Sequence, residues 1–176
     1  MRESEHILIK NIGKTKIVKS DSTTDIDLLV EDHIINRIRK EFPNHNIHSE
    51  EIGLIDRGSD YTWIIDPIDG SRHYNRRLPL FSISIALKRL RSTIFAVICI
   101  PLQHELFWAL SKQGAFNNEN RIEVSKVDRL DESFIVLDIP NSKSNKITIE
   151  HSLKVMRKLL QKVNRIRVFG VSSLSL

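Results

Sequence analysis

Between Thr24 and Phe42, apolar residues return at helical spacing. Leu28, Ile35, Ile38 and Phe42 fall on one side and Glu31, Asp32, Arg39 and Lys40 on the other. This pattern predicts an amphipathic helix. Thr24 followed by Asp27 supplies a capping box at its start, and Pro43 stops it. Beyond the proline the period shortens. Tyr61–Ile65, Phe81–Leu87, Thr93–Ile100, Glu105–Leu110 and Phe134–Leu137 read as strands, being rich in β-branched and aromatic residues and bounded by turn formers. The cluster from Gly114 through Asn117 to Asn120 reads as a turn region. A second amphipathic helix is expected from about Lys146 to Val163, with Ile149, Leu153, Met156 and Leu160 on one side, and a strand at Arg165–Phe169 follows it. Grouped strands with few helices predict an α/β (α+β) fold of layered architecture rather than strict alternation. No repeat or linker composition interrupts the chain, so residues 1–176 are expected to form one continuous domain.

Charge narrows the classes of partner. Lys and Arg number 27 against 22 Asp and Glu, a net +5, which favours anionic partners such as phosphate esters or nucleic acid. The basic residues are scattered with no aromatic rhythm among them, so no RNA-binding motif is visible. The one cysteine, Cys99, lies in an apolar run and reads as a core residue; a disulfide framework is excluded and a reducing compartment fits. The longest apolar stretch, Ile94 to Leu102, is far short of the ~20 residues that span a bilayer. The first ten residues, MRESEHILIK, lack a signal-peptide core, and a cytoplasmic protein with no membrane partner is expected.

The chemistry concentrates in Trp63-Ile64-Ile65-Asp66-Pro67-Ile68-Asp69-Gly70-Ser71. A buried β-run delivers Asp66, Pro67 fixes the backbone, and Asp69-Gly70 turns the chain so that the second carboxylate folds back beside the first. Two carboxylates so spaced on a rigid turn suit hard divalent cations, and the Ile68 carbonyl can add a backbone oxygen. A surface turn explains Asp69-Gly70 alone, but not an aspartate at each end of the unit. Upstream, in order, stand Lys19-Ser20-Asp21, the helix start Thr24 to Asp27, and His48-Ser49-Glu50-Glu51-Ile52-Gly53. Asp27 has a sufficient structural role as an N3 helix residue. The spacing of His45, His48 and Glu50 invites a zinc reading, but this segment reads as loop, and solvated histidines are preferred.

These islands, in this order, resemble the inositol monophosphatase family, the Mg²⁺-dependent, lithium-sensitive phosphatases related to fructose-1,6-bisphosphatase. The likeness extends to Pro79–Leu87, to Gly114–Asn117 with Ile122–Ser125, and to Arg167–Leu174. It implies a layered αβαβα sandwich of the sugar-phosphatase type. It also implies Mg²⁺ held by Glu50, Asp66, Asp69 and the Ile68 carbonyl. Ser71, where the family has Thr, would orient a water with Glu50, and Asp27 would polarise the Ser71 hydroxyl. Asp69, Gly70, Ser71, Val171, Ser172 and Ser173 would meet the substrate, and Lys19 would support the metal loop. The implied substrate is a small phosphorylated polyol or sugar such as inositol-1-phosphate, and the implied assembly is a homodimer.

Departures from the pattern carry their own expectations. The family's Trp-Asp-x-Ala-Ala segment, whose aspartate completes the metal cluster, is missing, so the C-terminal part of the fold is expected to be missing as well. The family's leading helix is not expected either. His73-Tyr74 replaces Asn-Phe and Arg77 replaces Gly. Two alternatives follow: a 3′(2′),5′-bisphosphate nucleotidase, and a catalytically impaired protein that binds RNA or a transcription complex.

Overall fold

The chain opens with a helix, α1 (Arg2–Asn11), where no leading helix was expected. Leu8 is fully buried with Ser4 one turn before it, while Glu3 and Glu5 occupy the first turn and Lys10 the last. That charge order suits the helix dipole. The apolar stripe is too narrow to stand out among so many charges. This computed structural model describes residues 1–16, 23–140 and 144–175, which fall into two compact units, Met1–Glu123 and Val124–Leu176.

In the first unit α1 packs on α2 (Asp25–Glu41). The expected capping box is present. Thr24 Oγ1 accepts from the Ile26 and Asp27 N–H groups, and the Asp27 carboxylate accepts the Thr24 N–H at 2.8 Å. The buried stripe is rotated from the expected one: it runs through Ile26, Val30, Ile34, Ile35 and Ile38, whereas Phe42 is 44 % exposed. Glu31, assigned above to the polar face, is fully buried. It lies one turn beyond Asp27 and one turn before Ile35; hydrogen bonds to its Oε1 offset part of the cost of burial, while Oε2 is buried without a hydrogen-bond partner.

Eight strands form one mixed sheet in the order β2-β1-β3-β4-β5-β6-β7-β8. They are β1 (Asn46–Ser49), β2 (Gly53–Ile55), β3 (Tyr61–Asp69), β4 (Ser82–Arg89), β5 (Ser92–Ile100), β6 (Glu105–Leu110), β7 (Gly114–Asn117) and β8 (Asn120–Ile122). β1 and β3 are parallel, and the other neighbours are antiparallel. A short helix, α3 (Ser71–Asn75), joins β3 to β4. The α2 stripe, Leu8, Ile47, Ile65, Ile68, Ile83, Ile85, Val97 and Cys99 form one core cluster. Burial pushes the Cys99 thiol up to about 11, so it behaves as an apolar filler, as expected.

One loop expectation fails here and another holds in part. The supposed turn at Gly114–Asn120 is a hairpin, β7–β8, that turns at Asn118 with φ +53°; Phe116 stacks on Trp108 with centroids 4.4 Å apart. Cross-strand aromatic packing outweighs the turn chemistry of its Gly and Asn residues. The segment holding His45 and His48 is a loop only in part: His45 lies in the bend that follows Pro43, whereas His48 lies in β1, where it is exposed. His45 is not merely solvated: its ring stacks on Phe42 and Tyr61, and its Nδ1 accepts the Trp63 indole N–H at 3.1 Å.

The second unit contains β9 (Phe134–Val136), α4 (Lys146–Leu160) and β10 (Arg165–Arg167), with β9 and β10 parallel on either side of the helix in sequence. α4 starts at Asn145, whose side chain accepts the Thr148 N–H at 2.9 Å, and it ends three residues before the expected Val163. The fold is mixed α/β, with a large sheet and few helices, as expected. Among the described residues no helix is long and apolar enough to cross a membrane.

Candidate functional site

Most of the sequence-derived site residues converge where β3 meets α3. Ile65, Pro67 and Ile68 of β3 are buried, which ties the strand to the core. Its register against β4 shifts between Asp66 and Asp69, and Pro67, which has no N–H to give a ladder, sits within that irregularity. Gly70 then takes φ +95°, a left-handed conformation that a side chain would strain, and its carbonyl accepts the N–H groups of His73 and Tyr74 at 2.8 and 3.0 Å. One short segment therefore presents Asp66, Asp69 and Ser71 together. Tyr74 anchors the far end of α3. Its ring is fully buried edge-on to Phe81, and its hydroxyl donates to the Leu8 carbonyl at 2.7 Å.

The start of α2 reaches the same point. Ser71 Oγ lies 2.8 Å from Asp27 Oδ1 and 2.8 Å from the Ile68 carbonyl, and its single proton can go to either. The other Asp27 oxygen accepts the Thr24 hydroxyl at 2.5 Å. Asp27 thus caps its helix and holds Ser71 at once.

Glu50 follows β1 directly, and its N–H donates to the Ile65 carbonyl at 3.1 Å, which brings its carboxyl to that of Asp66. The two carboxyls lie close enough for each to shift the other's titration. Burial, reinforced by the charge of Glu50 and then of Asp69, pushes Asp66 up to about 8. Burial also raises Glu50, with added repulsion from Glu51, Asp27 and Asp69. Asp66 Oδ1 is buried and has no hydrogen-bond partner.

The donors here are all oxygen, and an orphaned carboxylate oxygen lies among them; both features fit a hard divalent cation. The expected ligand set is nevertheless incomplete as a cluster. Among the described residues no three His, Cys, Asp or Glu side chains are gathered to hold a metal ion. Like charges repel, and burial beside Glu50 holds the Asp66 carboxyl toward its protonated form, with Asp69 acting on both through its charge.

Lys19, with Ser20 and Asp21, lies outside the described residues. Val171, Ser172 and Ser173 belong to the second unit, where Val171 is buried and the two serines begin a short 3₁₀ turn. A cavity of about 700 Å³ opens between α1, α2 and the sheet, lined by Ile34, Ile38, Trp63 and Trp108 among others, and contains none of the candidate carboxylates. Sequence reasoning missed Glu31, Ser49 and Thr23. Glu31 Oε1 accepts from the Ser49 hydroxyl and from the N–H groups of Glu51 and Ile52 at 3.0 and 3.3 Å, while Thr23 donates to Glu51 at 2.9 Å. The available signal was the spacing from Asp27 to Glu31, which places both on one helix face.

The model of the "Inositol monophosphatase family" matches residues 1–176. An "Inositol monophosphatase" of Dictyostelium discoideum is 36 % identical over 157 residues, covering 87 % of this chain and 57 % of its own length. A "Nus factor SuhB" of Haemophilus influenzae is 32 % identical, covering 99 % of this chain and 67 % of its own. Among solved structures, the extragenic suppressor protein SuhB of Bartonella henselae superposes with a TM-score of 0.91 at 28 % identity, over 98 % of this chain and 68 % of that one. The IMPase of Thermotoga maritima gives 0.86 at 32 % identity, over 99 % and 67 %. The chain spans between 57 % and 67 % of the length of these two curated relatives. With a family model that matches its whole length and a relative 32 % identical across 99 % of it, the chain belongs to the inositol monophosphatase family.

Proposed function

We propose that this chain carries the metal-binding half of a phosphatase that hydrolyses a small phosphate monoester, such as inositol-1-phosphate, with Mg²⁺. The carrying observation is the run of contacts from Thr24 through Asp27 and Ser71 to the Ile68 carbonyl, which ends beside the Glu50–Asp66 pair. Glu50, Asp66 and the Ile68 carbonyl would hold a first cation, and Asp69 would contribute to a second. Divalent cations there would neutralise phosphate oxygens and acidify water, which phosphate-ester hydrolysis requires. With its proton directed to Asp27, Ser71 would use its oxygen lone pairs to orient an attacking water together with Glu50. Gly70 and Ser71 would offer backbone N–H groups to the phosphate. The expected result is Mg²⁺-dependent, lithium-sensitive phosphate release from inositol-1-phosphate, abolished in Asp66→Asn and Asp69→Asn. Release that survives both substitutions, or excess chelator, refutes the assignment.

A second reading has its own support. The carboxylates do not close a metal cluster among the described residues, and several relatives at 29 to 34 % identity are Nus factors by name. A protein that binds a transcription complex without turnover would share this fold and its net charge of +5. Turnover comparable to that of a longer relative would exclude it.

A further inference from the structure

Glu31 is a fully buried carboxylate in the middle of a helix whose other buried positions there are isoleucine and valine. A leucine would fill that stripe at no electrostatic cost, whereas burying a carboxylate is expensive unless several donors meet it. Here three donors meet one oxygen: the Ser49 hydroxyl and the N–H groups of Glu51 and Ile52. They flank Glu50 on both sides. Glu50's own N–H is held by the Ile65 carbonyl of β3. The backbone of Glu50 is therefore pinned from α2 and from β3, while its side chain remains exposed toward Asp66.

The same helix face performs the matching task one turn earlier, where Asp27 holds Ser71. Two buried carboxylates on one face of α2 thus grip the two strands of chain that make the site, one through a side chain and the other through a loop backbone. We propose that Glu31 is a positioning residue for the metal site, fixing Glu50 against Asp66 without itself touching the cation. This rests on the metal-binding reading given above. Partners that orient metal ligands typically set affinity by about 10- to 100-fold, which gives the expected size of the effect.

The test uses the 176-residue chain and Mn²⁺, whose free electron-paramagnetic-resonance signal falls as it binds. Glu31→Gln keeps an acceptor oxygen for the three donors and should hold Mn²⁺ affinity within about threefold, a difference well under 1 kcal/mol. Glu31→Ala removes all three bonds and should weaken binding by about 10- to 100-fold, while circular dichroism shows the helices intact. If Glu31→Ala does not fold, Glu31→Asp decides, because its shorter arm keeps the charge but not the reach, and it must show the same loss. Equal affinity in wild type and the folded Ala or Asp variant overturns the proposal, as does an equal loss in Glu31→Gln. Asp66→Asn separates the two readings. If wild type binds and Asp66→Asn does not, a null effect at Glu31 removes only this inference; if wild type binds no Mn²⁺, the metal site itself is refuted, and this inference with it.

Discussion

Metal binding at this site should release a proton, because the raised Asp66 carboxyl it would use is largely protonated near neutral pH. Asp66 is pushed up to about 8 and Glu50 is also raised, so near neutral pH the pair carries a proton. A divalent cation needs both groups ionised. Well below pH 8, binding therefore releases one proton, and the apparent affinity falls about tenfold for each unit of pH, or about 50-fold from pH 8 to pH 6. The stability of the chelated protein moves in the opposite direction. A carboxyl raised in the folded state favours folding while protonated, and that contribution fades as pH climbs from about 4 through about 8. Added cation offsets the loss and makes the melting temperature rise most at alkaline pH. Calorimetric Mg²⁺ titrations at pH 7, in buffers of different ionisation enthalpy, count the proton directly. A count near zero, or an affinity unchanged between pH 6 and pH 8, would refute the raised-carboxyl account.

Further outcomes follow from single contacts. Tyr74→Phe strands the Leu8 carbonyl in the core, so it should cost about 1–3 kcal/mol in urea unfolding; an unchanged midpoint contradicts this. Thr24→Ala removes the capping oxygen of α2 and should cost about 0.5–2 kcal/mol in the same assay. Gly70→Ala forces a side chain into a left-handed conformation, for about 1–2 kcal/mol, and wild-type stability would show that the turn relaxes without strain. Ser71→Thr should retain phosphate release because the hydroxyl survives, whereas Ser71→Ala should lower it by at least about 100-fold; equal rates in the two variants would remove Ser71 from the chemistry.

The strands that bury alternating β-branched and aromatic residues were legible because their pattern is local. So was the capping box of α2, which needs only Thr24 and Asp27 at the right spacing. Asp66, Asp69 and Ser71 were legible for the same reason, since nine consecutive residues carry them. Glu31 was not. A glutamate amid charged neighbours looks solvated until β1 returns with Ser49 and the loop amides that satisfy it, and that pairing joins residues 18 to 21 positions apart. The hairpin at Gly114–Ile122 was hidden by its own asparagines, because the stabilising partner, Trp108, lies on the preceding strand. In α1, one fully buried leucine among charges gives a periodic signal too weak to read without knowing that Tyr74 binds its carbonyl.

From β4 to β8 each strand pairs with the one before it, so that part of the sheet can form between neighbours in sequence with little loop entropy to overcome. The parallel seam between β1 and β3 is different. It joins strands that the β2 excursion separates in the chain, and it is the seam that sets Glu50 beside Asp66. Chain closure there should come late in folding, and opening there should come early when the native state fluctuates. In hydrogen exchange, the amides of Glu50 to Ile52 should become labile before those of β4 and β5, which would make a bound cation a latch on the last-closing edge of the molecule.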